Sequence, residues 1–252
     1  AELFAVMSSG MAAVAGSVAV NLLGGSTDAR IEGNANVIAN SNVGVLASNN
    51  QGIDVLAGAA AIGGTAGVGV GVVVNNIDGT TSAGIYNSNV TAYGNDAALA
   101  VDSGTLTNAT ALGNSLDITG STQPTFLSSP STYVSPDLSV TQSQVHGLAV
   151  NASNQQNIAT LGVTASVAGT AALSALAGVN DVGGSTTATI QNAQINQADY
   201  VAPSTTNGVA NASGNVDANA DQQIDVRASS RQYEANLVAV VAVSGTAAGS
   251  GA

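Results

Sequence analysis

Apolar and polar residues alternate along several stretches of the chain, and the alternation returns in the same phase. Val68, Val70, Val72 and Val74 share one face of an extended segment, with Gly67, Gly69, Gly71 and Val73 on the other. Val14, Gly16, Val18 and Val20 repeat this against Ala13, Ala15, Ser17 and Ala19, as do Leu173, Ala175, Ala177 and Val179 against Ala172, Ser174, Leu176 and Gly178. A period of two predicts strands. The branched side chains are expected to be the buried face, each Val contributing roughly 1.5–3 kcal/mol.

The strands belong to a longer repeat. Asn21, Asn75 and Asn180 each follow a valine, a glycine stands eleven residues before each (Gly10, Gly64, Gly169), and an isoleucine ten residues after (Ile31, Ile85, Ile190). A fourth copy begins at Ile224 and reaches Gly245-Thr246-Ala247. Repetition at fixed offsets predicts a stacked solenoid, here one all-β unit over residues 1–252. The first two copies lie 54 residues apart, room for about three coils at common solenoid repeat lengths. Turns are expected at Gly24–Asp28, Asp78–Ser82 and Asp181–Thr187, with short strands after them and at Val43–Ala47, Ala98–Val101 and Leu148–Asn151. Residues 113–145 hold three of the four prolines, Pro124, Pro130 and Pro136, amid Ser and Thr, and are expected to leave the stack as an excursion. A smaller excursion is expected around Pro203.

A membrane-spanning helix is the rival reading of Val55 to Val74, which carries no charge. Six glycines in that stretch, each costing a helix about 1 kcal/mol, argue against it.

Composition narrows the function. Apolar residues make up 45% of the chain, but there are only two Phe, five Tyr and no Trp, so the core must be narrow. There is no Lys, and Arg30, Arg227 and Arg231 face fifteen carboxylates, for a net charge of −12. Nucleic acid and anionic lipid are therefore poor partners. The absence of Cys excludes disulfides and thiolate metal sites and is consistent with export. The chain opens at Ala1 without a signal peptide and begins and ends inside a repeat, which reads as a processed chain or a segment of something longer.

Candidate chemistry is thin. Asp217, Asn219 and Asp221 alternate and would point one way on a strand, like the opening of a calcium loop. Gln222 and Ala228 stand where an EF-hand needs Gly and Glu, so solvated carboxylates are the simpler reading. His146 is the only histidine and has no triad or metal partners nearby in sequence. Tyr86, Tyr93, Tyr133, Tyr200, Tyr233 and Phe126 are candidate carbohydrate platforms, with Phe126 and Tyr133 in the excursion the best placed to touch a partner. The strip of small residues (Gly67, Gly69, Gly71, Ala13, Ala15, Ser17, Ala172, Ser174) must let something approach closely. That is either the facing wall of the solenoid or a second copy in lateral self-association.

The runs AAIGGTAGVGVGVVVNNIDGTTSAGIYNSNVTA and GTAALSALAGVNDVGGSTTATIQNAQI resemble the shafts of filamentous-haemagglutinin-like proteins, above all the leukotoxin-type large filamentous adhesins of Gram-negative bacteria. The likeness covers most of residues 5–110 and 148–252. It implies a right-handed parallel β-helix exported to the cell surface or released as a fibre, and it transfers no catalytic residue. The expected function is a structural shaft segment, with copies of itself, or host or matrix glycans and proteins, as partners and no cofactor beyond the calcium weighed above. The alternative is a β-helical polysaccharide-active enzyme or carbohydrate-binding module, which would want clustered carboxylates with cations.

Overall fold

A computed structural model describes residues 2–107, 139–196 and 218–252, and every regular element in them is a β-strand. In chain order these are β1 (Glu2–Ser9), β2 (Ala12–Ile31), β3 (Asn36–Ala39), β4 (Val43–Gly63), β5 (Ala66–Tyr86), β6 (Asn89–Ala92) and β7 (Leu99–Leu106). They continue with β8 (Val140–Val145), β9 (Gly147–Ala168), β10 (Ala171–Gln191), β11 (Gln194–Ile195), β12 (Gln223–Ser244) and β13 (Ala247–Gly251).

Three sheets are wholly parallel. The first has the order β1-β4-β9-β12, the second β13-β10-β5-β2 and the third β11-β6-β3. The chain visits them in rotation, β4 then β5 then β6, and returns to the first sheet at β9. One 54-residue repeat therefore supplies one strand to each sheet, not the three coils expected from its length. The register repeats the sequence pattern: Asn21 lies beside Asn75, and Asn75 beside Asn180.

The long strands also run through the segments expected to turn. β2, β5 and β10 continue unbroken past Gly24–Asp28, Asp78–Ser82 and Asp181–Thr187. Stacking explains this, because a neighbour one repeat away offers every backbone N–H and C=O a ladder partner. Turn-forming residues then have no hydrogen bond to gain by leaving. The bare glycine inside this stretch of β5 has a use. A β-carbon on Gly79 would collide with the amides of Gln51 and Asn49, which point inward from β4.

Burial reverses the expected faces. The small residues point in: Ala13, Ala15, Ser17, Ala172 and Ser174 are buried, as are Gly67, Gly69 and Gly71. The branched residues point out, Val14, Val18 and Val20 each being more than half exposed. The physical reason is the nearness of the two long sheets. A β-carbon on Gly67 or Gly69 would lie 2.9 Å from the carbonyl oxygen of Val167 or Ala165 across the interior. Ala57, Ala59 and Ala61 of β4, all fully buried, belong to the same thin layer. Valine does not fit there, so it lies outside.

Toward the third sheet the interior widens. Ile53, Val55, Val73, Ile77 and Ile158 form a middle cluster, and Val45, Ile85, Val90, Leu148 and Val150 fill the space where three sheets meet. Amides are stacked between these apolar groups. Asn21 Nδ2 donates to Asn75 Oδ1 at 2.8 Å, and Asn75 Nδ2 to Asn180 Oδ1 at 2.9 Å. Thr160 Oγ1 accepts from Asn75 Nδ2 at 2.7 Å and donates to Asn180 Oδ1 at 3.0 Å. A second ladder joins Gln51, Gln156 and Gln232, where Gln156 is fully buried. Such ladders favour identical residues at identical register, as in stacked cross-β assemblies.

Two turns are stacked as well. Between the first and second sheets, Gly64 N–H donates to Ser9 C=O, Gly169 N–H to Gly64 C=O, and Gly245 N–H to Gly169 C=O. A β-carbon on Gly64 would overlap the Gly10 carbonyl, and one on Gly169 the Gly64 carbonyl. Between the second and third sheets, Asn34, Asn87 and Asn192 each adopt a left-handed φ of 60°, 47° and 51°. Asparagine tolerates that region better than any other residue except glycine.

Two consequences are measurable by thermal or denaturant unfolding. Gly64→Ala is expected to cost about 1–3 kcal/mol by overpacking. Gly10→Ala, whose β-carbon would meet nothing within 4 Å, is expected to stay within about 0.5 kcal/mol of wild type. Equal effects would contradict the stacked turn. Asn75→Ala, which strands polar groups on both neighbours, should cost about 3 kcal/mol, and Asn21→Ala at the ladder's end about 1 kcal/mol.

Candidate functional site

Ionisable groups and hydroxyls converge, part-buried, on the outer side of the first sheet; a second group, Asp28, Arg30, Glu32 and Ser82, is solvent-exposed at the end of β2. β7 and β8 form an antiparallel pair, the stem of the expected excursion. Leu99–Val101 therefore pairs with β8 and is not part of the stack, while most of the excursion expected at 113–145 and the one expected around Pro203 lie outside the described residues. The stem lies on the sheet through its apolar face. Leu99 and Val101 pack with Val145 and Ala149, and Leu106 packs on Tyr233 and Ala235.

Polar contacts fix the stem beside those patches. Arg231 Nη1 donates to Asp102 Oδ2 at 2.8 Å, and Ser153 Oγ donates to the same oxygen at 2.5 Å. Arg231 Nη2 also reaches Ser153 Oγ at 3.0 Å. The backbone carbonyl of Asp102 accepts from Asn151 Nδ2 and Arg227 Nη1, and Arg227 also reaches Ser143 on β8 and pairs with Asp225. β9 and β12 supply Ser153 and Arg231 as neighbours because stacking sets Gln155 beside Arg231 and Ser153 beside Ser229. Asp102 turns sharply after this contact. Its Oδ1 accepts from the Gly104 N–H at 2.7 Å, with Gly104 at a left-handed φ of 75°.

Burial pushes the Asp102 carboxyl up. The hydrogen bonds from Ser153, Gly104 N–H and Arg231, with the Arg231 charge, outweigh that and hold it below the ordinary aspartate value of 3.8. A carboxylate so stabilised is a weak base, and Ser153 donates its proton to it while sharing Arg231. The chemistry of this cluster is that of a charge-assisted clasp.

The other candidate residues separate. Ala218–Gln222 is a turn, so the strand alternation expected for Asn219 and Asp221 does not occur. Asn219 Oδ1 accepts from the Asp221 N–H and its Nδ2 donates to Gly94 C=O, while Asp217 lies outside the described residues. Among the described residues no three His, Cys, Asp or Glu side chains are grouped to share a metal ion. His146 Nδ1 sits 3.0 Å from Gly94 C=O and 3.3 Å from Asn219 Nδ2, part-buried at the turn into β9. Tyr233 is buried beneath the stem, and Tyr86 lies across Gly84 of its own strand. Phe126, Tyr133 and Tyr200 lie outside the described residues. The small-residue strip is interior, so its members are not a surface for a second copy.

Sequence reasoning missed the clasp. Asp102 and Arg231 stand 129 positions apart, and neither belongs to the repeated pattern. No family model matches the chain, and no curated protein or solved structure matches it.

The lowered Asp102 value fixes the sign of a pH effect. The clasp's contribution is complete above the ordinary aspartate range and is lost as pH falls through the lowered folded value. Protection of the β7 and β8 amides against hydrogen exchange, relative to the intrinsic rate at each pH, should fall there, and Arg231→Gln should lower it about tenfold or more at neutral pH. Unchanged exchange in the variant would contradict the clasp.

Proposed function

We propose that the chain is a structural segment of an extracellular bacterial fibre or adhesin, built as a right-handed parallel β-helix that carries surface excursions. The observation that supports this most is the register of identical residues. Asn lies on Asn on Asn and Gly on Gly through successive repeats, so each repeat buries the next and the body can be lengthened by adding more. Right-handed winding is the reading favoured by parallel crossovers in general. The likeness of the repeats to filamentous-haemagglutinin-like shafts supports the same setting.

The clasp fits this role. It ties β7 and β8, the strands on either side of the Pro/Ser/Thr-rich segment, to a rigid sheet. Asp102, held by Arg231 and Ser153, is committed to that contact rather than to a substrate.

Antibodies against the chain are expected to label intact cells of the bacterium that makes it, or fibres shed from them. Label confined to permeabilised cells would contradict the proposal. Acidic polysaccharides incubated with the protein should keep their chain length, and a progressive fall in viscosity would instead favour the enzymatic reading.

A further inference from the structure

The inward turn of the small residues leaves a second fact unexplained, namely what covers the branched ones. On the second sheet, Val14, Val68 and Leu173 form one outward row and Val20, Val74 and Val179 another, with Val18 and Val72 between them. Val18 is 62% exposed, Leu173 51% and Val179 55%. The other outer face of the same end is also apolar, with Val6, Ile62 and Val243 exposed on the first sheet. No Asp, Glu, Lys or Arg occurs in residues 3–27, 55–77, 160–180 or 235–252, the segments that build this end. Glu2, beside Leu56, stands at its border, and the other charged residues of the described strands lie beyond it, toward the third sheet. The molecule is a flat blade, uncharged where it is thinnest.

We propose that the outer valine face of the second sheet, next to the Gly-Thr turns, is an interface between two copies of this chain packed sheet on sheet. Three features select a second copy. The face is a flat grid of branched side chains about 4.8 Å apart within a row and about 6.6 Å between rows, and the same grid on a partner has the spacing to mesh with it. The carboxylates are set away from it. Two blades overlapping about a two-fold axis, their turns pointing in opposite directions, bring apolar faces together and carry the two charged ends apart. The size also suffices. Three to four strands of about nine residues make a face of about 500 Å², so the pair would bury about 1,000 Å², the threshold for a specific interface.

Lipid fits less well. The chain has no Trp for an interfacial belt, no Lys, and a net charge of −12. The inference rests on burial and charge placement alone, so it stands or falls separately from the extracellular setting.

Sedimentation velocity of the purified chain tests it. Wild type should associate as concentration rises, and Val18→Glu with Val179→Glu should weaken association about 100-fold or more while far-UV circular dichroism stays strand-like. Ile38→Glu, on the exposed face of the third sheet, should leave association unchanged. If the double variant misfolds, single cysteines decide, because the chain has none and any disulfide must join two molecules. Val18→Cys should then cross-link much faster than Ile38→Cys. Wild type that stays monomeric to about 100 µM, or equal cross-linking at both positions, would overturn the proposal. Flotation of monomeric wild type with neutral phosphatidylcholine vesicles would overturn it too and make lipid the occupant.

Discussion

In the three parallel sheets each residue stands beside its counterpart from the next repeat, and that constraint decides which side chains the interior can hold. A parallel ladder sets like on like at strand spacing. A buried amide can be satisfied by its own copies, since Asn and Gln each carry one donor and one acceptor end. Asn75 uses both ends, accepting from Asn21 and donating to Asn180, and Thr160 closes the pattern from the facing sheet. The same constraint reserves Gly64 and Gly169 for glycine, since each turn lies directly on the turn before it.

Much of the architecture was legible because of this constraint. The repeated Asn, Gly and Ile positions marked the register, and the period of two marked the strands. The orientation of those strands was not legible. Alternating Val and Gly says that two faces differ, and ordinary hydrophobic reasoning places Val inside. The inside face is decided instead by the separation of the two sheets, a long-range quantity set by facing carbonyls such as those of Ala165 and Val167. The expected turns failed for a related reason. Gly-Ser-Thr-Asp sequences leave a strand when nothing pairs with them, and here the neighbouring repeat pairs with them throughout β5 and β10.

The clasp and the blade show two uses of a surface that stacking leaves free. Outward positions need not match between repeats, so β9 and β12 can offer Ser153 and Arg231 to one stem without disturbing the interior. Nothing in the local sequence around Asp102 announces this, because the partners come from two other passes of the chain, β9 and β12. The charge pattern, by contrast, is written plainly in sequence. The segments near the Gly-Thr turns lack ionisable carboxylates and cations, and they become one end of the molecule only when the register is known.

Engineered disulfides test the register most directly. Val20 lies beside Val74 in the parallel pair of β2 and β5, at a spacing of about 4.8 Å that a disulfide can bridge. Val20→Cys with Val74→Cys should oxidise to an intramolecular cross-link at high dilution. Val20→Cys with Val72→Cys, two residues off register and about 8 Å apart, should not. Ready cross-linking of the second pair, or failure of the first, would contradict the stacked arrangement.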